Sequence, residues 1–356
     1  MRTDYAPQVA GFRIGTTRDD LTLQTVYTND LLDSTSGSFT ADVNSLALAT
    51  TYYYQAFMTV SDGNGGYKEI VSAIGQFTTT SEVSGVPTGW LELPATTGSE
   101  DYVGVFYGSG GNTDSNRNYS YNYSYTYYAS LWTAYPLTKA MITGTASTSS
   151  WRFNPSIDQD KQVSITKNSY GTMYDNDLYS RGHQCPNADR KSDDTMNLQT
   201  YYATNQTPQI QNGFNGSIWS ALETAERNLV ASEGEVVYVV TGPAYRKQGG
   251  NETITYLTGA TGKNANPTQL PVPNYYWKAF LKVKMSGNTV TSASAIGFWF
   301  EHKQYDNSNY ARYAVSVDQI EQWTGFDLFV NLPGDDNTGI EKTAESNSNW
   351  STFQSF

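Results

Sequence analysis

The sequence predicts an α+β chain in which a small all-β module precedes a larger mixed domain. Three observations carry this expectation. Apolar and polar residues alternate through much of the first 80 residues and again over 119–127. The run 214–232 places apolar residues at helical spacing, and Glu235-Val236-Val237-Tyr238-Val239-Val240-Thr241-Gly242 is an apolar stretch of strand length that ends at Gly-Pro.

Length and composition agree with two domains. The 356 residues are 38% apolar and 14% aromatic, so a sizeable core is available. Tyr occurs 28 times, more often than Lys and Arg together at 22. A mixture rich in Tyr, Ser, Thr, Asn and Gly favours short strands joined by turns. The net charge is −12, with −5 before Pro87 and −7 after it. Neither part is therefore a basic protein steered onto a polyanion by its overall field. Cys185 is the single cysteine, so the chain forms no internal disulfide. No stretch has the apolar length that spans a bilayer. The opening Met1-Arg2-Thr3-Asp4-Tyr5 lacks the apolar core of a signal peptide. We expect an extracellular, periplasmic or cell-surface protein whose leader has been removed, with a cytoplasmic enzyme as the alternative.

Residues 1–82 are expected to form the β module. Strands are predicted at Phe12–Gly15, at Leu21–Tyr27 and through 52–60, where Tyr52, Tyr54, Ala56, Met58 and Val60 share a face. Asp62-Gly63-Asn64-Gly65-Gly66 predicts a turn, and Ile74–Thr80 a last strand. The run from Leu48 to Ala56, with Gly75-Gln76-Phe77-Thr78-Thr79, resembles the last strands of fibronectin type III-like sandwiches, which implies a β-sandwich used as a spacer. Residues 83–90, containing Ser84-Gly85-Val86-Pro87-Thr88-Gly89, are the expected linker, and 91–356 the second domain.

In that domain, 108–118 is predicted as loop. Tyr119, Tyr121, Tyr123, Tyr125 and Tyr127 line one face of a strand; core packing is its expected use, and a stacking platform for single-stranded RNA the alternative. Further strands are expected at Leu131–Leu137, Tyr275–Met285 and Ala295–Phe300, with a short helix at Val317–Trp323. In the run 214–232, Asn215, Trp219, Glu223 and Arg227 fall within about 120° of one another, opposite Ile218, Ala221, Leu222, Ala225 and Leu229. An ordinary amphipathic helix explains such a pattern unless its polar face meets other chemistry.

That chemistry is offered by Tyr179-Ser180-Arg181-Gly182-His183-Gln184-Cys185-Pro186. A neutral imidazole accepts a proton from water near neutral pH. Of the two histidines, His183 stands beside Arg and Gly in a polar turn, and Gly182 allows close approach of a phosphate. His302, in Glu301-His302-Lys303, is expected at the surface. Cys185 is expected as a small buried residue before Pro186, and Asp193-Asp194 as a solvated turn.

The ordered set Arg181-Gly182-His183, then Thr204-Asn205-Gln206-Thr207-Pro208-Gln209, then Asn215, Glu223 and Arg227, resembles the DNA/RNA non-specific endonuclease family. The resemblance extends over roughly residues 90–335. It implies a ββα-metal finger with mixed or antiparallel sheets, and Mg²⁺-dependent hydrolysis of DNA and RNA through phosphate contacts, leaving 5′-phosphate and 3′-hydroxyl ends. Mn²⁺ or another divalent ion is also compatible. By the same resemblance His183 is the general base and Asn215 the direct metal ligand. Glu223 holds metal-bound water, and Arg181 binds the scissile phosphate. Arg227 and, from Trp151-Arg152-Phe153-Asn154-Pro155, Arg152 are phosphate contacts. Asn205 is grouped with the catalytic residues as a brace. Ser180 departs from the family, many of whose members carry Asp there. The rival expectation is an adhesion protein on a weakened nuclease scaffold. No protein partner is expected.

Overall fold

Alternating side chains in the first 80 residues build a five-stranded antiparallel sheet. Its strands are β1 (Pro7–Gly15), β2 (Gln24–Tyr27), β3 (Thr51–Ser61), β4 (Tyr67–Val71) and β5 (Gly75–Thr78), in the order β2-β1-β3-β4 with β5 also on β3. This computed structural model describes residues 7–27, 43, 50–78, 90–98, 100–165, 178–258, 269–335 and 339–356. The chain divides into two compact units, residues 1–84 and 85–356. In the first, the β3–β4 turn forms as its residues dictate. The Asp62 carboxylate accepts from the backbone N–H of Asn64 at 2.8 Å and Gly66 at 2.9 Å, while Gly63 and Gly65 take φ of 81° and 83°. The buried residues of β3 are Tyr52, Phe57 and Val60. Phe57 lies off the predicted face and is covered by Tyr27 and Arg13. The second layer of a sandwich would draw on residues 28–49, nearly all outside the described residues, as are Leu48, Ala49, Thr79, Thr80 and linker residues 83–89. Trp90, the expected end of the linker, is buried against Tyr107.

The second unit is α+β. Its strands are β6 (Tyr102–Tyr107), β7 (Arg117–Ser124), β8 (Ala129–Thr138), β9 (Tyr179–His183), β10 (Gln206–Ile210), β11 (Val236–Ala244), β12 (Thr255–Thr258), β13 (Gln269–Val272), β14 (Tyr275–Ser286), β15 (Thr289–Glu301) and β16 (Ala314–Val315). Its helices are α1 (Lys139–Ile142), α2 (Asp194–Gln199), α3 (Ser220–Asn228), α4 (Val317–Thr324), α5 (Gly339–Glu345) and α6 (Trp350–Gln354). Seven strands form one antiparallel sheet ordered β16-β15-β14-β11-β8-β7-β6, and β9 pairs with β10 apart from it.

Both faces of β7 are covered. Tyr119, Tyr121 and Tyr123 enter the main core with Phe106, Tyr135, Phe214 and Trp219, and the intervening Asn118, Ser120 and Asn122 are buried too. The buried tyrosine hydroxyls have partners: Tyr119 donates to the Gln199 carbonyl at 2.8 Å, and Tyr121 accepts from Asn154 at 2.6 Å. Burial of these three rings excludes them as an RNA-stacking platform.

The helical run after β10 begins as expected but is less simply amphipathic. Residues 211–219 form wide π-type turns interrupted at Asn212 and at Gly213, whose φ is 77°, and continue into α3. A Cβ on Gly213 would lie 2.9 Å from the Tyr305 nitrogen, so glycine is required there. Ile218 and Leu222 are fully buried, the latter stabilising the fold by about 1.5–3 kcal/mol. Trp219, placed on the polar side by the sequence, is buried against Phe214, Tyr276 and Phe300. Glu226 is buried as well and pairs with Lys278 of β14 at 2.7 Å, neither side chain being exposed. Tyr135 donates to the other Glu226 oxygen at 2.8 Å.

Removing one partner of a fully buried ion pair leaves an uncompensated charge. Lys278→Met is therefore expected to lower unfolding free energy by about 3–5 kcal/mol, and Lys278→Met with Glu226→Leu to regain most of it. Urea denaturation measures both; a single variant within about 0.5 kcal/mol of the parent would contradict the pair's role.

Candidate active site

The β9–β10 pair sets the site. Its register puts Ser180 opposite Gln209, Arg181 opposite Pro208, Gly182 opposite Thr207 and His183 opposite Gln206. A Cβ on Gly182 would fall 2.2 Å from the Gln209 side chain, which would have to move aside, so glycine leaves room for that amide. Asn205, fully buried, fixes the turn that follows His183. Its Oδ1 accepts from the Cys185 N–H at 2.9 Å, and its Nδ2 donates to the carbonyls of Cys185 at 2.9 Å and Thr200 at 2.8 Å. With its amide committed to backbone, Asn205 braces the site and does not face a substrate.

His183 is held by aromatic rings. Trp151 lies 4.7 Å from it and Tyr201 4.8 Å, centroid to centroid, and its buried Nε2 has no hydrogen-bond partner among the described residues. Burial, aided by the nearby Arg181 charge, depresses its pKa to about 4, so the imidazole is neutral at pH 7. Arg181 lies over the Trp151 ring at 5.2 Å and donates through NH1 to the Ile165 carbonyl at 3.0 Å. The backbone of Arg152 is anchored on the same wall: its N–H donates to the Tyr201 carbonyl and its carbonyl accepts from Ala203.

Asn215 is tied to the strand that carries His183. Its Nδ2 donates to Ser180 Oγ at 2.9 Å and to Gln211 Oε1 at 3.2 Å, while Ser180 Oγ donates to the Gln209 carbonyl at 3.3 Å. The amide nitrogen is thus spent, and the carbonyl oxygen Oδ1 accepts no hydrogen bond among the described residues. Ser180 therefore keeps an acceptor for Asn215 where the family often has a carboxylate. Glu223 lies eight residues on, in the first turn of α3. It is half-buried, and burial raises its pKa to about 7 against the opposing pull of Lys278. Arg227 pairs through NH1 with Asp189 at 2.9 Å and donates through NH2 to Thr224 at 3.3 Å.

The structure adds residues to those foreseen and corrects others. Gln209 is fully buried, and among the described residues neither of its amide atoms nor the neighbouring Thr207 hydroxyl has a partner. The polar residues at 205, 207 and 209, spaced by two, were the available sign that one strand face is polar and inward. His302 is not a surface residue. It sits among Phe214, Tyr276 and Tyr179, accepts from the Ile210 N–H through Nε2 at 2.8 Å, and so donates through Nδ1 to the Pro273 carbonyl at 2.9 Å. Burial lowers its pKa to about 4. Cys185 is fully buried and its thiol is pushed up to about 12, which removes it as a nucleophile. Asp193 is no free turn residue: it caps α2 by accepting from the Met196 N–H at 2.8 Å and also holds Ser109.

A divalent cation that favours oxygen ligands and retains most of its waters fits the unspent, half-buried Asn215 oxygen. A second acidic group, Asp318, Glu321 and Glu345, lies on α4 and α5 and contains none of the expected site residues.

Comparison with known proteins identifies the family. A family described as DNA/RNA non-specific endonuclease matches residues 100–335. The chain is 33% identical over 160 residues to "Nuclease 1, mitochondrial" of Schizosaccharomyces pombe, covering 44% of this chain and 47% of that one. It is 30% identical over 179 residues to a nuclease of Nostoc sp., covering 49% and 59%, and 28% identical over 209 residues to a nuclease of Serratia marcescens, covering 57% and 70%. It thus spans about half the length of the first two relatives.

With only two histidines, imidazole titration is easily read. Both are expected to remain neutral at pH 6 and to titrate near pH 4 by ¹H–¹⁵N NMR. A His183 midpoint close to 6.5 would contradict its buried setting.

Proposed function

The chain belongs to the DNA/RNA non-specific endonuclease family, and from that premise we propose that residues 91–356 form a divalent-cation-dependent endonuclease hydrolysing phosphodiester bonds in DNA and RNA. The observation that carries this reading is the orientation of Asn215. Its nitrogen is bound to Ser180 and its oxygen is left for a cation, on a helix hydrogen-bonded to the strand that carries a neutral histidine.

His183 takes the proton of the attacking water. Its depressed pKa keeps it unprotonated at neutral pH, at the cost of a modest proton affinity. Asn215 would be the direct ligand of Mg²⁺ or Mn²⁺, and Glu223 would hydrogen-bond waters of the ion. When bound, the ion supplies Lewis-acid neutralisation of charge at phosphorus. Arg181, Arg227 and Arg152 bind phosphate oxygens. Contacts confined to phosphates carry no sequence information, which accounts for indifference to base and sugar. With a net charge of −12, affinity for long nucleic acid rests on these few cations and weakens steeply with salt. We further propose that residues 1–82 are a fibronectin type III-like spacer, and that the protein is secreted or displayed at the cell surface.

Plasmid and RNA cleavage with Mg²⁺, against an EDTA control, tests the activity. His183→Ala is expected to lose about 10²–10⁴-fold in rate without loss of fold. Asn215→Ala should also raise the metal concentration required for half-maximal rate. Near-parental turnover in either variant contradicts its role. The pH profile supplies an independent check. Glu223, protonated below about 7, should make kcat/KM rise through that pH, whereas the His183 limb lies near 4. Glu223→Gln should abolish the upper limb and spare the lower; an unchanged profile contradicts the assignment.

A further inference from the structure

We infer that Asp189 is a positioning residue for Arg227, fixing the guanidinium from below so that its remaining N–H edge is presented to a substrate phosphate. The inference rests on the nuclease reading above. Asp189 closes the short turn Asn187–Asp189, six residues after His183, so the segment that carries the base also carries the anchor of this arginine. The Asp189 side chain is wholly buried and that of Arg227 is 21% exposed. A buried carboxylate cannot approach a phosphate, and like charges would repel; whatever Asp189 contributes passes through its cationic partner.

The choice of partner is informative. Arg190, next in sequence and fully buried, donates its side-chain hydrogen bonds to Asn118, to the Pro136 carbonyl and to the backbone carbonyl of Asp189, and donates none to the Asp189 carboxylate among the described residues. Arg190 is the arginine that holds the fold. The carboxylate reaches instead for the half-exposed Arg227 on α3, with Oδ2 directed to the Tyr135 hydroxyl at 3.5 Å. Thr224 holds NH2 from the same helix. Two of the five guanidinium N–H groups are thereby used and three remain. Pairing also offsets the charge of Arg227, so the device improves orientation more than affinity.

The test is steady-state cleavage of DNA with Mg²⁺ by the full chain and by Asp189→Asn, Arg227→Ala and the double variant, with melting curves as a check of fold. Asp189→Asn is expected to lower kcat about 10–100-fold while KM stays level or falls, because a negative charge beneath the phosphate site has gone. The double variant should be no slower than Arg227→Ala alone. If Asp189→Asn does not fold, the exposed Thr224→Val, which removes the second hold on the guanidinium, carries the same expectation of reduced kcat at constant KM. A parental kcat in whichever of these two variants is read, or losses that add in the double variant, overturns the inference while wild-type cleavage leaves the nuclease reading standing. A wild-type chain without metal-dependent cleavage overturns both.

Discussion

The hydrogen bond from Asn215 to Ser180 is the constraint on which the site depends. An amide side chain can rotate to present nitrogen or oxygen, and without a fixed acceptor it would present neither reliably. Ser180 supplies that acceptor, and its own hydroxyl proton is committed to the Gln209 carbonyl, so the direction of the chain of bonds is set. The outcome is an oxygen donor aimed away from the strand, at the start of a helix whose later turns bring Glu223 and Arg227. The serine also shows why a missing carboxylate leaves the local geometry intact: the acceptor role survives even though the negative charge does not.

Beneath the helix the protein buries charge in matched pairs. Glu226 meets Lys278, and Asp189 meets Arg227, with Tyr135 hydrogen-bonded to Glu226 and within 3.5 Å of Asp189. Burial and the neighbouring Glu226 carboxylate push Asp189 upward, and Arg227, Lys278 and Arg190 pull it back. Such pairs add little net stability compared with well-packed apolar residues, but they are directional. They fix how α3 sits on the sheet, and hence where its polar face projects. His183 is held differently, between the rings of Trp151 and Tyr201 with no carboxylate against it, and its burial keeps it neutral.

Much of this was legible in the sequence. Period-two alternation located β7, and an apolar run of strand length located β11, because sheet burial writes itself directly into residue order. Arg181-Gly182-His183, expected as a polar turn, is instead the end of β9, and its association with Asn215, Glu223 and Arg227 rests on the family resemblance. What could not be read was pairing at a distance. Glu226 and Lys278 lie 52 residues apart, and each looks like an ordinary solvated charge until the fold brings them together. His302 was misplaced because Glu301 and Lys303 beside it face solvent, whereas strand geometry turns the imidazole inward. Trp219 sits on the polar side by angle alone, yet the wide turns before α3 rotate it into the core. Gln209 was inside the quoted motif, but its role depends on the register with Gly182.

The central claim is that the Asn215 oxygen holds a divalent ion within the histidine-bearing site. Diffraction from crystals soaked in Mn²⁺, recorded for its anomalous signal, tests it most directly. The account predicts a peak about 2.1 Å from Asn215 Oδ1, in a shell otherwise made of water. A peak confined to the Asp318–Glu321–Glu345 group, with none at Asn215, would contradict it.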